Sequence, residues 1–118
     1  MFNFEKLDVW QQAVAFADQV YSITRAFPAE ERFGLTNQMR RAVVSIASNI
    51  AEGSSRMSRT DFARFVEIAT GSAFEVVAQA SIALRQGFLS PDQYGQIYQA
   101  SETIGKMLSG LRRSLSDG

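Results

Sequence analysis

The sequence predicts an all-α protein that folds as an antiparallel, up-down-up-down, left-handed four-helix bundle. Apolar residues recur at spacings of three and four along four long segments, as they do in amphipathic helices. Helix start and stop signals separate these segments by short links, and no alternating strand pattern is present. We expect a single domain over residues 1–118, with an ordered core from about residue 7 to residue 115.

The first helix is predicted from about Asp8 to Arg25, after an extended arm formed by residues 1–6. Phe27 and Pro28 follow it, and proline ends a helix because it lacks a backbone donor and fixes its own φ. The pattern assigns the main apolar stripe to Leu7, Trp10, Val14, Ala17 and Tyr21. It places a second apolar row on the opposite side of the helix, formed by Val9, Phe16 and Ile23.

The second helix begins somewhere between Ala29 and Leu35, and its apolar stripe ends at Gly53. Glycine is favoured just past a helix end, where the backbone often turns left-handed, so Gly53 is predicted to terminate this helix. The stripe consists of Leu35, Met39, Ala42, Val43, Ile46 and Ile50.

The third helix is predicted from Arg59 to about Gln86, and Gly87 ends it. Ser58 precedes Asp61 by three residues, which resembles a capping box with aspartate in place of glutamate. The core stripe is long and consists of Phe62, Phe65, Val66, Ala69, Ala73, Val76, Val77, Ala80, Ala83 and Leu84. The back of the helix also carries small and apolar residues, namely Gly71, Phe74, Ala78 and Ile82.

The fourth helix opens at Ser90 and Pro91, with Gln93 at the third helical position, and its tail is expected to fray from Ser116. Its apolar residues are Tyr94, Ile97, Tyr98, Ile104, Leu108, Leu111 and Leu115. Together the four stripes predict a core centred on Trp10, Met39, Ile46, Phe62, Phe65, Val76, Leu84, Ile97 and Leu108.

The composition argues against catalysis. The chain has no histidine and no cysteine, which removes the commonest general base, the commonest metal ligand and thiolate chemistry. We therefore expect no enzyme activity, no cofactor and no metal. Twelve basic and twelve acidic residues give a formal net charge of zero, so avid non-specific binding to nucleic acid is not expected. The lack of cysteine, of a secretory signal and of a membrane-spanning apolar run indicates a cytoplasmic protein that makes no membrane contact.

Four polar residues fall together on one shoulder of the second helix, and we call them the polar seam: Gln38, Ser45, Asn49 and Glu52. One interpretation is a binding surface or the lining of a channel in an assembly. The other is a buried hydrogen-bonded seam in which Arg56 neutralises Glu52, because buried polar groups need partners.

Arginines are concentrated around the link between the second and third helices, and the cluster consists of Arg40, Arg41, Arg56, Arg59 and Arg64. Guanidinium groups bind phosphates by charge and by paired hydrogen bonds, so this cluster is a candidate surface for nucleic acid or for a protein partner. The alternative is surface pairing with nearby carboxylates, from Glu30, Glu31, Asp61 and Glu67.

Several short segments in a fixed order resemble a known family. They are Leu7-Asp8-Val9-Trp10, Gln38-Met39-Arg40-Arg41-Ala42 and Asn49-Ile50-Ala51-Glu52-Gly53, followed by Arg56, Phe62, Phe65, Ala69, Gly71-Ser72 and Glu75. The chain, from Leu7 to Leu115, resembles the four-helix-bundle proteins encoded in intervening sequences of bacterial 23S rRNA genes. The fold is also similar to that of the accessory protein of diversity-generating retroelements, a basic pentamer that partners a reverse transcriptase. These resemblances imply a four-helix bundle that assembles into a homopentamer.

The apolar residues outside the main stripes predict contacts between protomers, because monomers rarely leave contiguous apolar patches exposed. The predicted interface comprises Val9, Phe16, Ile23, Gly71, Phe74, Ala78 and Ile82. A two-fold dimer would bury the same residues as a ring. The favoured function is a non-enzymatic oligomeric scaffold that binds RNA or a nucleic-acid enzyme. A structural oligomer with an unrelated partner is the alternative, and a small-molecule or metal-binding bundle is the least favoured.

Overall fold

The computed structural model describes residues 1–116, which form four long helices and two short 3₁₀ turns. The helices are α1 (Asp8–Thr24), α2 (Leu35–Ser54), α3 (Arg59–Arg85) and α4 (Pro91–Ser116), and the 3₁₀ turns are Asn3–Lys6 and Ala29–Glu31. No strand occurs in this part of the chain, which confirms the predicted all-α class. None of the helices over these residues is long and apolar enough to cross a membrane. The expected fraying beyond Ser116 falls on residues 117 and 118, outside the described range.

Each long helix packs against two others. α2 and α3 contact each other, as do α3 and α4, α1 and α2, and α1 and α4. The molecule is elongated, with extents of 46 × 21 × 20 Å, and its apolar core runs along the space that the four helices enclose.

The buried face of α1 differs from the predicted one. Val9, Phe16 and Ile23 lie in the core, so the prediction that they form a contact between protomers is wrong. The buried row also contains Ala13 and Val20, and it follows a regular spacing of four and three. The row shares one helical face, and its small member Ala13 lets that face lie close to the core.

The residues assigned to the main stripe of α1 lie along the flanks of the core. Leu7, Trp10, Ala17 and Tyr21 are partly buried and pack against it. The segment before α1 is a 3₁₀ turn and not the extended arm that we predicted. Phe4 in this turn meets the ring of Trp10 edge to face, with 4.9 Å between the ring centroids. Trp10 therefore joins the N-terminal turn to the helices.

The predicted core centre is confirmed for five residues and corrected for four. Met39, Ile46, Val76, Ile97 and Leu108 are fully buried. Trp10, Phe62, Phe65 and Leu84 are only partly buried. The last four are bulky side chains at the edges of their stripes, where a large group contacts the core with one side and solvent with the other.

Hydrogen-bonded caps define the ends of the last two helices. Ser90 Oγ accepts from Gln93 N at 3.1 Å while Gln93 Oε1 accepts from Ser90 N at 2.9 Å, so the predicted capping box is present. At the start of α3 only one of the two bonds forms, from Asp61 N to Ser58 Oγ at 3.0 Å. Gly87 has a φ of 77°, and it ends α3 as predicted.

The start of α2 lies within the predicted range, but its end is set differently from the sequence expectation. The helix begins at Leu35, whose N–H donates to the side-chain Oε1 of Glu31 at 3.1 Å. At the other end, Gly53 lies within the helix and does not have a positive φ, so its predicted role as a left-handed terminator is wrong. A Cβ on Gly53 would lie 2.8 Å from Phe65 Cβ and 2.9 Å from Phe62 Cδ1, and this crowding explains the glycine.

Candidate functional site

The polar seam divides into a bonded half and an exposed half. Asn49 Nδ2 donates to the backbone oxygen of Ser45 at 2.8 Å and to Ser45 Oγ at 2.9 Å. Ser45 Oγ and Ser72 Oγ are 2.9 Å apart and share a hydrogen bond between α2 and α3. Gln38 and Glu52 are exposed at the two ends. The middle of the seam thus joins two helices, while its ends face solvent.

Glu52 and Arg56 form the ion pair that the sequence suggested, but both side chains are exposed, so this end of the seam is not buried. Arg56 Nη2 lies 2.9 Å from Glu52 Oε2, one helical turn away. The same guanidinium stacks over the ring of Phe65, with 4.7 Å from Cζ to the ring centroid. Arg56 is therefore held by α2 and α3, which makes it a structural arginine at the link between them.

Arg40 is also engaged within the protein. Its Nε donates to Thr24 Oγ1 at 2.9 Å, and its Nη2 donates to the backbone oxygen of Tyr21 at 3.4 Å. Its guanidinium stacks over the Tyr21 ring at 4.5 Å. This half-buried side chain therefore joins α2 to the last turn of α1 through Thr24 and Tyr21.

The other three arginines of the cluster are exposed and loosely held. Arg59 Nη1 reaches the backbone oxygen of Ser114 at 3.5 Å, and Arg64 Nη2 lies 3.9 Å from Asp61 Oδ1. Arg41 lies on the surface of α2, beside the groove described below. The structure therefore separates the predicted basic cluster into two structural arginines and three available ones.

The back of α3 is exposed along its whole length. Phe74 and Ile82 keep 71% and 53% of their surface accessible, and Gly71 and Ala78 are exposed between them. We call these four residues the α3 outer strip. Beside it, α3 and α4 enclose an open apolar groove of about 520 Å³ whose walls include Val77, Tyr98 and Gly105. Tyr98 adds a further exposed aromatic ring.

A second groove, of about 430 Å³, lies between α2 and α3, and we call it the α2–α3 groove. It is lined by Gln38, Arg41, Ala42, Ser45, Ser72, Glu75 and Gln79. The sequence indicated the α2 side of this groove through Gln38 and Ser45, but it gave no role to Gln79. The signal on α3 was the spacing of Ser72, Glu75 and Gln79, which places three polar side chains on one helical face.

No group of three or more residues able to hold a metal ion occurs within residues 1–116.

Glu67 pairs with Arg112 of α4, with 2.7 Å between Oε1 and Nη2, and this contact was not anticipated. The carboxylates of α3 thus serve as partners for arginine in at least two places, since Asp61 lies near Arg64.

Comparisons with known proteins agree with the resemblance found in the sequence. A family model described as 23S rRNA-intervening sequence protein matches residues 5–110. Among solved structures, the chain is similar to a protein of unknown function from the S23 ribosomal protein family of Bacteroides thetaiotaomicron. The two share 26% sequence identity with a TM-score of 0.78, over 87% of this chain and 96% of the other. No curated protein matches the sequence.

Proposed function

Because the chain belongs to the 23S rRNA-intervening sequence protein family, we propose that it is a non-enzymatic, self-associating scaffold that binds RNA or a protein that handles RNA. The α3 outer strip is the observation that carries the self-association. Exposed aromatic and branched side chains next to an apolar groove are typical of surfaces that another protein covers. Small residues at Gly71 and Ala78 would let a neighbouring helix approach closely.

The proposed assembly is a closed homopentamer. The α3 outer strip carries the exposed side chains of Phe74 and Ile82, whereas the groove beside it, which Phe74 also lines, is concave. Such a pair of surfaces suits a head-to-tail contact, which closes into a ring when the rotation between protomers allows it. A two-fold dimer, in which the same strip faces itself, is the competing arrangement.

Within each protomer we propose an antiparallel, up-down-up-down, left-handed arrangement of the helices. Its support is the order of the contacts between α3 and α4. Glu67 pairs with Arg112, the backbone oxygen of Ala73 accepts from Ser101 Oγ, and Ser81 Oγ lies 3.1 Å from Tyr94 Oη. In these three pairs the residue number increases along α3 while it decreases along α4, as expected for antiparallel helices. The short link between α2, which ends at Ser54, and α3, which begins at Arg59, favours the same relation for that pair.

A scaffold role, without catalysis, is supported by the side chains that the protein offers. The chain contains neither histidine nor cysteine, and Ser45 of the polar seam bonds to Ser72 of α3 and to Asn49. A serine nucleophile needs a base within hydrogen-bond reach. The interactions observed around these serines connect helices and do not activate a hydroxyl.

Light scattering on the purified protein tests the self-association. We expect a mass of five times the 13.1 kDa chain, and we expect Phe74→Glu to reduce it because a carboxylate cannot be buried in an apolar contact at low cost. Val44→Glu is the matched control, since Val44 is an exposed apolar residue on α2. A monomeric wild type at micromolar concentration would refute the scaffold, and a dimer would refute the ring.

A further inference from the structure

The α2–α3 groove contains a buried polar group that the protein does not satisfy. Gln79 is only 7% exposed, and its Oε1 is buried without a hydrogen-bond partner in residues 1–116. Buried amide oxygens are almost always paired in native proteins, because an unmet acceptor has lost its bonds to water. The groove is about 430 Å³, which lies within the range of about 300–1,000 Å³ typical of small-molecule sites. Because Oε1 is itself closed to solvent, a ligand that supplies a donor would satisfy it once the Gln79 amide turns toward the groove.

Ser45 and Ser72, in the same groove, have one hydroxyl proton that the hydrogen bond between them does not use. Asn49 uses its amide protons on the backbone oxygen and Oγ of Ser45. Ser45 and Ser72 then share one hydrogen bond, in either direction. Two hydroxyl protons are available for one bond, so one of them remains free to donate. Chains of hydrogen bonds polarise one another, which makes the last hydroxyl a better donor.

Opposite charges stand on the two walls of the groove. Arg41 belongs to α2 and Glu75 to α3, and both line the groove. Neither takes part in an ion pair among the described residues, although Arg56, Arg64 and Arg112 all have carboxylate partners there. The groove therefore presents a cation, a carboxylate, a spare hydroxyl donor and an unmet amide acceptor.

We propose that the α2–α3 groove binds a small zwitterion of the free α-amino acid class. The carboxylate of the ligand is held by the Arg41 guanidinium and by the spare hydroxyl of the Ser45–Ser72 pair. Its ammonium group lies against Glu75 and, when the Gln79 amide turns toward the groove, donates to Gln79 Oε1. This site is separate from the α3 outer strip and does not depend on the proposed scaffold function.

The charges in the groove decide between ligand classes. A simple anion would gain from Arg41 but would lie beside Glu75 and leave the Gln79 acceptor unmet. A simple cation would satisfy Glu75 and Gln79 but would be repelled by Arg41. Only a ligand that carries both charges uses all of the groups, and an α-amino acid carries them at the short separation that one groove can bridge.

Saturation-transfer NMR with the full chain and a panel of the common free L-amino acids tests the proposal. Ethylamine and propionate serve as probes for each half of the ligand. We expect at least one amino acid to bind, and we expect both half-ligands to bind at least about tenfold more weakly than it does. If no amino acid binds, or if a half-ligand binds as tightly, the proposal is wrong.

Variants identify the groups that hold the ligand. Arg41→Gln and Glu75→Gln change exposed side chains, so they should preserve the fold, and each should weaken binding of that amino acid at least about tenfold. Arg85→Gln and Glu102→Gln make the same charge changes outside the groove and should leave the affinity unchanged. Equal affinity in Arg41→Gln and in wild type would overturn the assignment.

Gln79→Met separates a binding role from a structural one. It keeps the length of the side chain and removes the unmet acceptor, so the free protein should melt at the same temperature or higher while binding is lost. A fall in melting temperature together with unchanged binding would show that Gln79 serves the fold. If amino acids fail to bind while Arg41→Gln alters the assembly mass or the affinity for RNA, the groove is occupied by a macromolecule and the proposal fails.

Discussion

Gly53 shows how a single residue controls the approach of two helices. It lies in the last turn of α2, and Phe62 and Phe65 of α3 occupy the space where its side chain would be. Because the two phenylalanines are themselves packed, they cannot move aside freely. The glycine is therefore required by contact between helices and not by its backbone angle.

Replacing Gly53 with alanine tests this account. We expect the variant to lose about 1–3 kcal/mol of unfolding free energy, because the added Cβ would overlap the two rings. Urea unfolding followed by circular dichroism gives the value. Gly95→Ala, on α4 with open space around it, is the control and should gain about 0.5–1 kcal/mol, since alanine favours helix. Equal stabilisation by both substitutions would contradict the crowding.

The sequence predicted that Gly53 was special, but it could not predict the reason. A glycine near a helix end has the same pattern whether it turns left-handed or admits another helix. Gly87 was identified correctly because the apolar periodicity stops there and no neighbouring helix is needed to explain it. The two cases differ only in tertiary contacts. For the same reason the sequence did not predict that Gln79 is buried, since its burial depends on how α2 lies across α3.

At the scale of elements, the sequence predicted the bounds of α1 but assigned the wrong face of this helix to the core. Its bounds agree with the prediction within one residue, because Pro28 and the start at Asp8 are local signals. Its buried face was assigned to the side with the largest rings, Trp10 and Tyr21. Large side chains can reach the core from a flank, whereas Ala13 can be buried only where the helix axis itself faces the core. Small buried residues such as Ala13 therefore show which face of α1 points toward the core.

Phe16→Ala provides the test at this scale. Phe16 is 2% exposed, so the substitution should cost about 3–5 kcal/mol of unfolding free energy through lost burial and the cavity that remains. Phe74→Ala removes the same ring from the exposed α3 outer strip and should change the unfolding free energy of the monomer by less than about 0.5 kcal/mol. Chemical denaturation of both variants at low protein concentration measures the two changes in unfolding free energy. Similar losses would mean that the two faces are equally buried.

At the scale of the whole molecule, α3 has three distinct surfaces. Its inner face forms the core, its outer strip is apolar and exposed, and the side toward α2 carries the polar groove. The sequence predicted the first two surfaces from periodicity. It indicated only the α2 side of the α2–α3 groove, because all residues of the polar seam belong to α2. A groove belongs to two helices at once, so its chemistry becomes visible only when both are placed.

RNA binding depends on the charge distribution of the whole protein. With a net charge of zero, the attraction to phosphate must come from local groups. Within residues 1–116, three arginines of the cluster make no strong internal bond, and they are Arg41, Arg59 and Arg64. Arg59 lies in the first turn of α3, where the positive end of the helix dipole adds to its charge, and Arg64 lies in the second turn. Weak, strongly salt-dependent binding near the α2–α3 link is the expected behaviour.

The double variant Arg59→Gln, Arg64→Gln tests the RNA arm of the proposed function. We expect weaker binding to a structured RNA, and a salt dependence whose slope falls by about one for each phosphate contact that is lost. Arg25→Gln with Arg85→Gln removes the same charge from exposed positions away from the α2–α3 link, and it should change both quantities less. Filter binding across a salt series measures them. If the wild type has no affinity for RNA at low salt, then RNA is not the ligand.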